Sequence, residues 1–193
     1  MAVALPPGPP PFPLARFTVE QYHRMIASGA FTEDDHLELI DGWLVQKMAK
    51  GPAHEYSLGQ AEALLRERVP AGWHVRNQAP ITLSRSEPEP DIAIVRGDYR
   101  TRHPSGSDLA LVVEISDTTV ATDRLKARMY GLAKIPEYWI VNLGGRCVER
   151  FASPIDSDEN GYAINGVVSE SDSLTVTIAG GVCVPIPVRQ LLP

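Results

Sequence analysis

Apolar and polar positions alternate between strand-like and helix-like periods along most of the chain. Leu37–Ile40 and residues 43–48 are two short apolar runs on either side of Asp41-Gly42, a dipeptide that predicts a two-residue hairpin. Before them, Thr18 is a candidate N-cap for a helix running to about Ser28 and closed by Gly29. Residues 52–68 predict a second helix, opened by Pro52, with Leu58, Ala61, Leu64 and Leu65 on its inner face. His54 and Glu62 fall close to one side of it. Residues 73–83 read as a strand leading into a second one at residues 91–95, and residues 109–115 as a third.

A helix is expected over residues 121–134, with Leu125, Met129 and Leu132 as its buried stripe and Asp123, Lys126 and Tyr130 as a separate polar stripe. Strands follow at residues 137–141 and 146–151, turned by Asn142 to Gly145. A β meander is expected at residues 162–168 and 174–178, with turns at Asn160-Gly161 and Ser171-Asp172, and a short helix at residues 187–192. The pattern predicts a mixed α/β fold: a bent mixed sheet flanked by helices, with an antiparallel β extension at the C-terminal end. No linker-like stretch lies between Gly72 and Val141, so residues 17–193 are expected to form a single domain behind a Pro-rich flexible arm, residues 1–16.

Two carboxylates break this pattern. Asp91 opens the run Asp91-Ile92-Ala93-Ile94-Val95, and Glu114 interrupts the otherwise apolar run at residues 109–115. Both runs are short and β-branched, as in a sheet covered on both faces. An isolated ionised carboxylate in such a place protonates unless a cation or several donors hold it. Two on neighbouring strands point to a metal ion. The helix after the Glu114 strand packs back on the sheet, which lets Lys126 and Tyr130 reach toward Glu114.

Composition narrows the classes. Hydrophobic content of 44% with 22% charged residues suits a soluble globular chain of 193 residues. There is no apolar run long enough for a transmembrane helix, and an N-terminus with no basic residue before Arg16 does not resemble a secretory leader, so no membrane partner and a cytoplasmic location are expected. Cys147 and Cys183 are far apart and signal neither zinc nor a disulfide. A net charge of -6 argues against binding nucleic acid by bulk electrostatics. Local basic clusters remain: Arg96, Arg100, Arg102 and His103 follow the Asp91 strand, and Arg124, Lys126 and Arg128 follow the Glu114 strand. They are candidate nucleic-acid contacts, or a solvated loop and helix face.

Pro90-Asp91, Glu114 in Val113-Glu114-Ile115-Ser116, Asp123-Arg124-Leu125-Lys126 with Tyr130, and Ile135-Pro136-Glu137-Tyr138-Trp139-Ile140-Val141 occur in the order and spacing of a known family. Together they resemble the Uma2 family (DUF820), within the PD-(D/E)xK restriction-endonuclease-like superfamily. The resemblance extends N-terminally through Leu37-Glu38-Leu39-Ile40-Asp41-Gly42 and His54. It implies a restriction-endonuclease-like core and a site in which Asp91, Glu114 and the Ile115 carbonyl ligate Mg²⁺ or Mn²⁺. Glu38 and Gln78 stand where such proteins carry further acidic or polar groups. The superfamily pattern has a lysine two residues after the glutamate, where this chain has Ser116, and the resemblance implies that Lys126 supplies that charge from the helix. Asp123 is expected first as an N-cap and helix-dipole partner.

The function these residues predict is hydrolysis of DNA phosphodiester bonds by a Mg²⁺-dependent endonuclease. Asp91, Glu114 and Lys126 are its catalytic candidates, and a homodimer is expected, because cutting both strands takes two sites. Two other classes stay open: an inactive nuclease-fold module that binds nucleic acid or protein, and a metal-dependent hydrolase of another phosphoester.

Overall fold

A computed structural model describes residues 13–156, 161–178, 181–182 and 185–193. Its centre is a six-stranded sheet in the order β3-β4-β5-β6-β7-β8. These strands are Trp73–Asn77, Ile92–Arg96, Leu109–Ser116, Glu137–Asn142, Cys147–Pro154 and Tyr162–Ser169. Every pair is antiparallel except β5 with β6. That parallel pair is joined by helix α3, Val120–Leu132, as a parallel crossover requires. All eight residues of β5 are buried, which explains its nearly unbroken apolar run.

Each face of the sheet carries its own core. On one side helix α2, Pro52–Arg66, lays Leu58, Ala61 and Leu65 against Val75, Ile92, Ile94, Leu111 and Val113, and the C-terminal segment adds Leu174, Ile186 and Leu191. On the other, α3 contributes Ala127 and Tyr130 to a cluster with Val95, Val112, Tyr138 and Ile140. Hairpin β1–β2, Leu37–Ile40 and Trp43–Gln46, turns at Asp41 and Gly42, whose φ values of 47° and 81° match the expected two-residue turn. It packs Leu39 on helix α1, Val19–Ala27, which Thr18 and Gln21 close in a capping box.

The mixed α/β fold is as the pattern predicts, and several local expectations are corrected. The strand expected over residues 73–83 stops at Asn77: Gln78 takes φ 45° and gives its N–H to the Asp91 carbonyl, so the chain leaves the sheet. Residues 174–178 do not extend the main sheet. They form two-residue strands, Ser173–Leu174 (β9) and Thr177–Ile178 (β10), which pair with Ile186–Pro187 (β12) and Gly181–Val182 (β11). The expected C-terminal helix is one 3-10 turn, Val188–Leu191. Cys183, Asn160 and residues 1–12 of the arm lie outside the described residues.

The largest correction concerns α3. Leu125 is 79% exposed and Leu132 is also exposed, whereas Asp123, Ala127, Tyr130 and Gly131 are buried. The helix is rotated so that its polar stripe faces the sheet. Burying a leucine contributes about 1.5–3 kcal/mol, while leaving a buried ion pair without one partner costs about 3–5 kcal/mol. Lys126 and Tyr130 both bond Glu114, so the polar stripe prevails.

The rotation also brings α3 against the start of β8. A Cβ added at Gly131 would lie 2.4 Å from the Gly161 carbonyl oxygen. Gly131→Ala should therefore destabilise the protein by about 1–3 kcal/mol from overpacking, although alanine is the better helix former by about 1 kcal/mol. Urea denaturation checks this, and a variant at least as stable as wild type contradicts the close approach.

Candidate active site

Asp91 and Glu114 meet because of sheet register. Ile92 pairs with Val113, so the residue before β4 faces the residue after Val113. The Asp91 N–H points at Glu114 Oε2 at 3.4 Å, and the Ile115 N–H donates to Asp91 Oδ2 at 2.8 Å. Both side chains are buried, Glu114 at 5% exposure.

From α3, Lys126 Nζ lies 3.0 Å from Glu114 Oε1, 3.5 Å from Asp123 Oδ1 and 3.8 Å from Glu38 Oε1. The Tyr130 hydroxyl donates to Glu114 Oε1 at 3.0 Å. From the segment after β2 and the first turn of α2, Lys50 Nζ reaches Asp91 Oδ1 and His54 Nε2 reaches Asp91 Oδ2, each at 2.9 Å. All of these side chains except Tyr130, which bonds Glu114 from behind, line one cleft of about 150 Å³.

Acid outweighs base inside it. Glu38, Asp91, Glu114 and Asp123 are all buried, and Lys126 is shared among three of them. Burial, reinforced by the charges of Asp91, Asp123 and Glu38 and only partly offset by Lys126, pushes the Glu114 carboxyl up to about 8. Burial pushes Asp91 upward too, but there the His54 hydrogen bond, the charges of Lys50 and His54, and the Ile115 N–H prevail and hold it below the usual range. Burial works against the Lys126 charge, yet the surrounding carboxylates hold its proton more firmly than usual. The Tyr130 phenol is raised by burial and by Glu114.

The structure thus brings together Asp91, Glu114, Ile115, Lys126, Tyr130, Asp123 and Glu38. Glu38 does not face solvent from its hairpin; its Oε2 accepts the Glu89 N–H at 3.2 Å. Asp123 is not the N-cap, a place held by Thr119, whose hydroxyl donates to Asp123 Oδ2 at 2.7 Å. Ser116 is buried at the end of β5 and shares a hydrogen bond with Thr119 instead of facing Glu114.

Gln78 does not join the site: it is exposed beyond the end of β3 and does not line the cleft. Nor do Arg96, Arg100, Arg102 and Arg124; the cations at the acids are lysines, Lys50 and Lys126. Arg96 lies over the Trp73 ring, Arg100 pairs with Asp98, Arg102 with Asp108, and Arg124 with Glu149.

Sequence reasoning missed Lys50 and the bond from His54 to Asp91. Lys50 has no periodic signal, since it lies in an irregular connection. Two residues from Pro52, His54 falls in the first turn of α2, and that proximity to a helix start was the available clue. Glu62, on the same helix, is engaged elsewhere, with Arg66 and Asn77.

As a place for a cation, the donor set is hard oxygen: two adjoining carboxylates with Ile115 at the cleft wall. That suits an ion which takes one or two carboxylates and keeps its waters. Among the described residues no three His, Cys, Asp or Glu side chains group closely enough to enclose a metal, so any ion here would rely on water and substrate for most of its shell.

The model of the Uma2 family, described as "Putative restriction endonuclease", matches residues 19–187. Among solved structures the fold is similar to a "putative nuclease belonging to DUF820" from Anabaena variabilis ATCC 29413. The TM-score is 0.66 and the identity 13%, over 91% of this chain and 97% of that one. No curated protein matches.

The two carboxyls set opposite pH dependences. Glu114 binds its proton more tightly folded than unfolded, so its contribution to stability is full below its ordinary value of 4.5 and is lost as pH rises through about 8. Asp91 contributes stability above 3.8 that disappears as pH falls. In EDTA the melting temperature should therefore decline between about pH 5 and pH 9, and Glu114→Gln should flatten that decline. Calorimetric melts of both proteins test this; equal slopes would exclude Glu114 as the titrating group.

Proposed function

Because this chain belongs to the Uma2 family, we propose that the cleft around Asp91 and Glu114 is the active site of a divalent-metal-dependent endonuclease acting on DNA. The observation that carries this reading is the pair of buried, adjoining carboxylates, each with its own lysine, Lys50 at Asp91 and Lys126 of α3 at Glu114. A sheet that needed only stability would place apolar residues at both positions, since replacing a buried ion pair with packed hydrophobic groups is often neutral or stabilising.

Mg²⁺ or Mn²⁺, held by Asp91, Glu114 and the Ile115 carbonyl, would polarise a phosphoryl oxygen and lower the pKa of a bound water. His54 and Lys50 fix the rotamer of Asp91 through its two oxygens. Tyr130 and Lys126 do the same for Glu114, so neither carboxylate must reorganise when substrate arrives. The ammonium of Lys126, whose side chain is 14% exposed, offers positive charge where the phosphorane oxygens become more negative. In this reading Lys126 takes the place of the lysine that Ser116 replaces. The enzyme would act as a homodimer, giving one site per strand.

A second reading has a specific observation behind it. The acids already have protein cations, and Ser116 faces Thr119, so an inactive module that binds nucleic acid would hold the same contacts.

Calorimetric titration of Mn²⁺, with plasmid nicking followed in the same samples, separates the two. Wild type should bind metal and nick, and Asp91→Ala and Glu114→Ala should do neither. A wild type that binds no metal supports the inactive module, and one that binds without nicking directs attention to other phosphoesters. Lys126→Met should retain metal binding and lose roughly 10²–10³-fold in nicking rate; full activity in that variant would remove the lysine from the mechanism.

A further inference from the structure

A second hollow, of about 700 Å³, lies between α1 and the loop that follows β4. Its composition is opposite to that of the cleft. The loop wall carries Arg100, Arg102 and His103, and α1 carries His23 and the apolar pair Ile26 and Ala27, with Ile26 45% exposed. Its acid, Glu87, is buried and already engaged: both oxygens meet His23 Nε2, at 2.7 and 2.8 Å, and Oε2 accepts the Thr82 hydroxyl at 2.7 Å.

Arg102 is held in place before any ligand arrives. Its guanidinium lies 6.0 Å from the Tyr99 ring centre, and the same ring lies 5.3 Å from the Arg76 guanidinium. Only Nη1 of Arg102 has hydrogen-bond partners among the described residues, Asp108 Oδ2 and the His103 carbonyl, which leaves Nε and Nη2 uncommitted. A guanidinium fixed by an aromatic ring and one carboxylate, with free donors beside an exposed apolar wall, suits a ligand that is anionic at one end and flat and apolar at the other.

The hollow is joined to the cleft through one short segment. Glu87 lines the hollow and Glu89, two residues on, lines the cleft. Pro88 and Pro90 favour an extended path between them. Two extended residues span roughly 7 Å, about two base steps along a DNA strand.

We infer that this hollow is a subsite for a nucleotide of the substrate strand flanking the scissile phosphate, its phosphate on the uncommitted donors of Arg102 and its base against Ile26. The inference rests on the nuclease reading above and specifies where the strand runs. It also accounts for strand binding by a protein of charge -6, because the contact is local.

The test is fluorescence anisotropy of a labelled single-stranded DNA of about ten nucleotides, a length within one protein's usual site size. It is run in EDTA with the full chain over a range of salt concentrations. Arg102→Ala should weaken binding about tenfold and reduce the salt slope by about 1. Ile26→Glu, at an exposed position, should also weaken it. Arg66→Ala, which removes the same charge from the outer side of α2, should not.

If wild type binds and both hollow variants bind equally well, the subsite is refuted while the nuclease reading survives. A deoxynucleoside monophosphate that binds as tightly as the oligonucleotide would also refute it, in favour of a small-molecule site. If wild type neither binds nor cleaves DNA, the substrate assignment fails and the subsite with it.

Discussion

The rest of the molecule depends on the burial of Glu114 in the central strand of a sheet covered on both faces. A carboxylate there is almost cut off from solvent, and the strand supplies no cation. The neighbouring elements supply what is missing. Helix α3 turns its polar side inward to bring Lys126 and Tyr130, accepting an exposed Leu125 in return. Strand β4 begins so that Asp91 comes alongside, and α2 begins so that His54 can hold Asp91. The hairpin β1–β2 brings Glu38 to the far side of Lys126. Two helices, a strand and a hairpin thus meet at Glu114 or at the groups that contact it, and their placement reflects charge as much as packing.

How much of this was legible in the sequence differed by type of signal. The hairpin, the first helix cap and the fully buried β5 follow from local rules that hold without knowledge of the neighbours, and they appear as expected. The two acids were legible because carboxylates are out of place in β-branched runs. The orientation of α3 was not. Its sequence carries two stripes, and periodicity cannot say which faces the sheet; the choice is made by Glu114, which belongs to another element. Gln78 was misplaced for a similar reason, since its left-handed backbone ends a strand that composition alone would have continued. The arginines after β4 were legible as a basic cluster, but not their place away from the acids, because a sequence gives their density and not the direction of the loop.

The resulting molecule separates its charges. The acidic cleft holds more carboxylates than bases, and the arginines and histidines on the other side of residues 87–89 form a basic hollow. Such a division suits a substrate that is anionic along its whole length but is to be cut at one place: basic groups hold the chain, and the acid cluster is where a cation would be recruited.

On the reading proposed above, Asp91 and Glu114 form a metal site and not merely a buried ion-pair network. Its most direct test is anomalous diffraction from crystals of the protein soaked in Mn²⁺. A metal site gives a single strong anomalous peak between the Asp91 and Glu114 carboxylates, absent from Glu114→Ala crystals. Crystals that show Lys126 and Lys50 still paired to both acids, with no manganese in the cleft at saturating concentration, would contradict it.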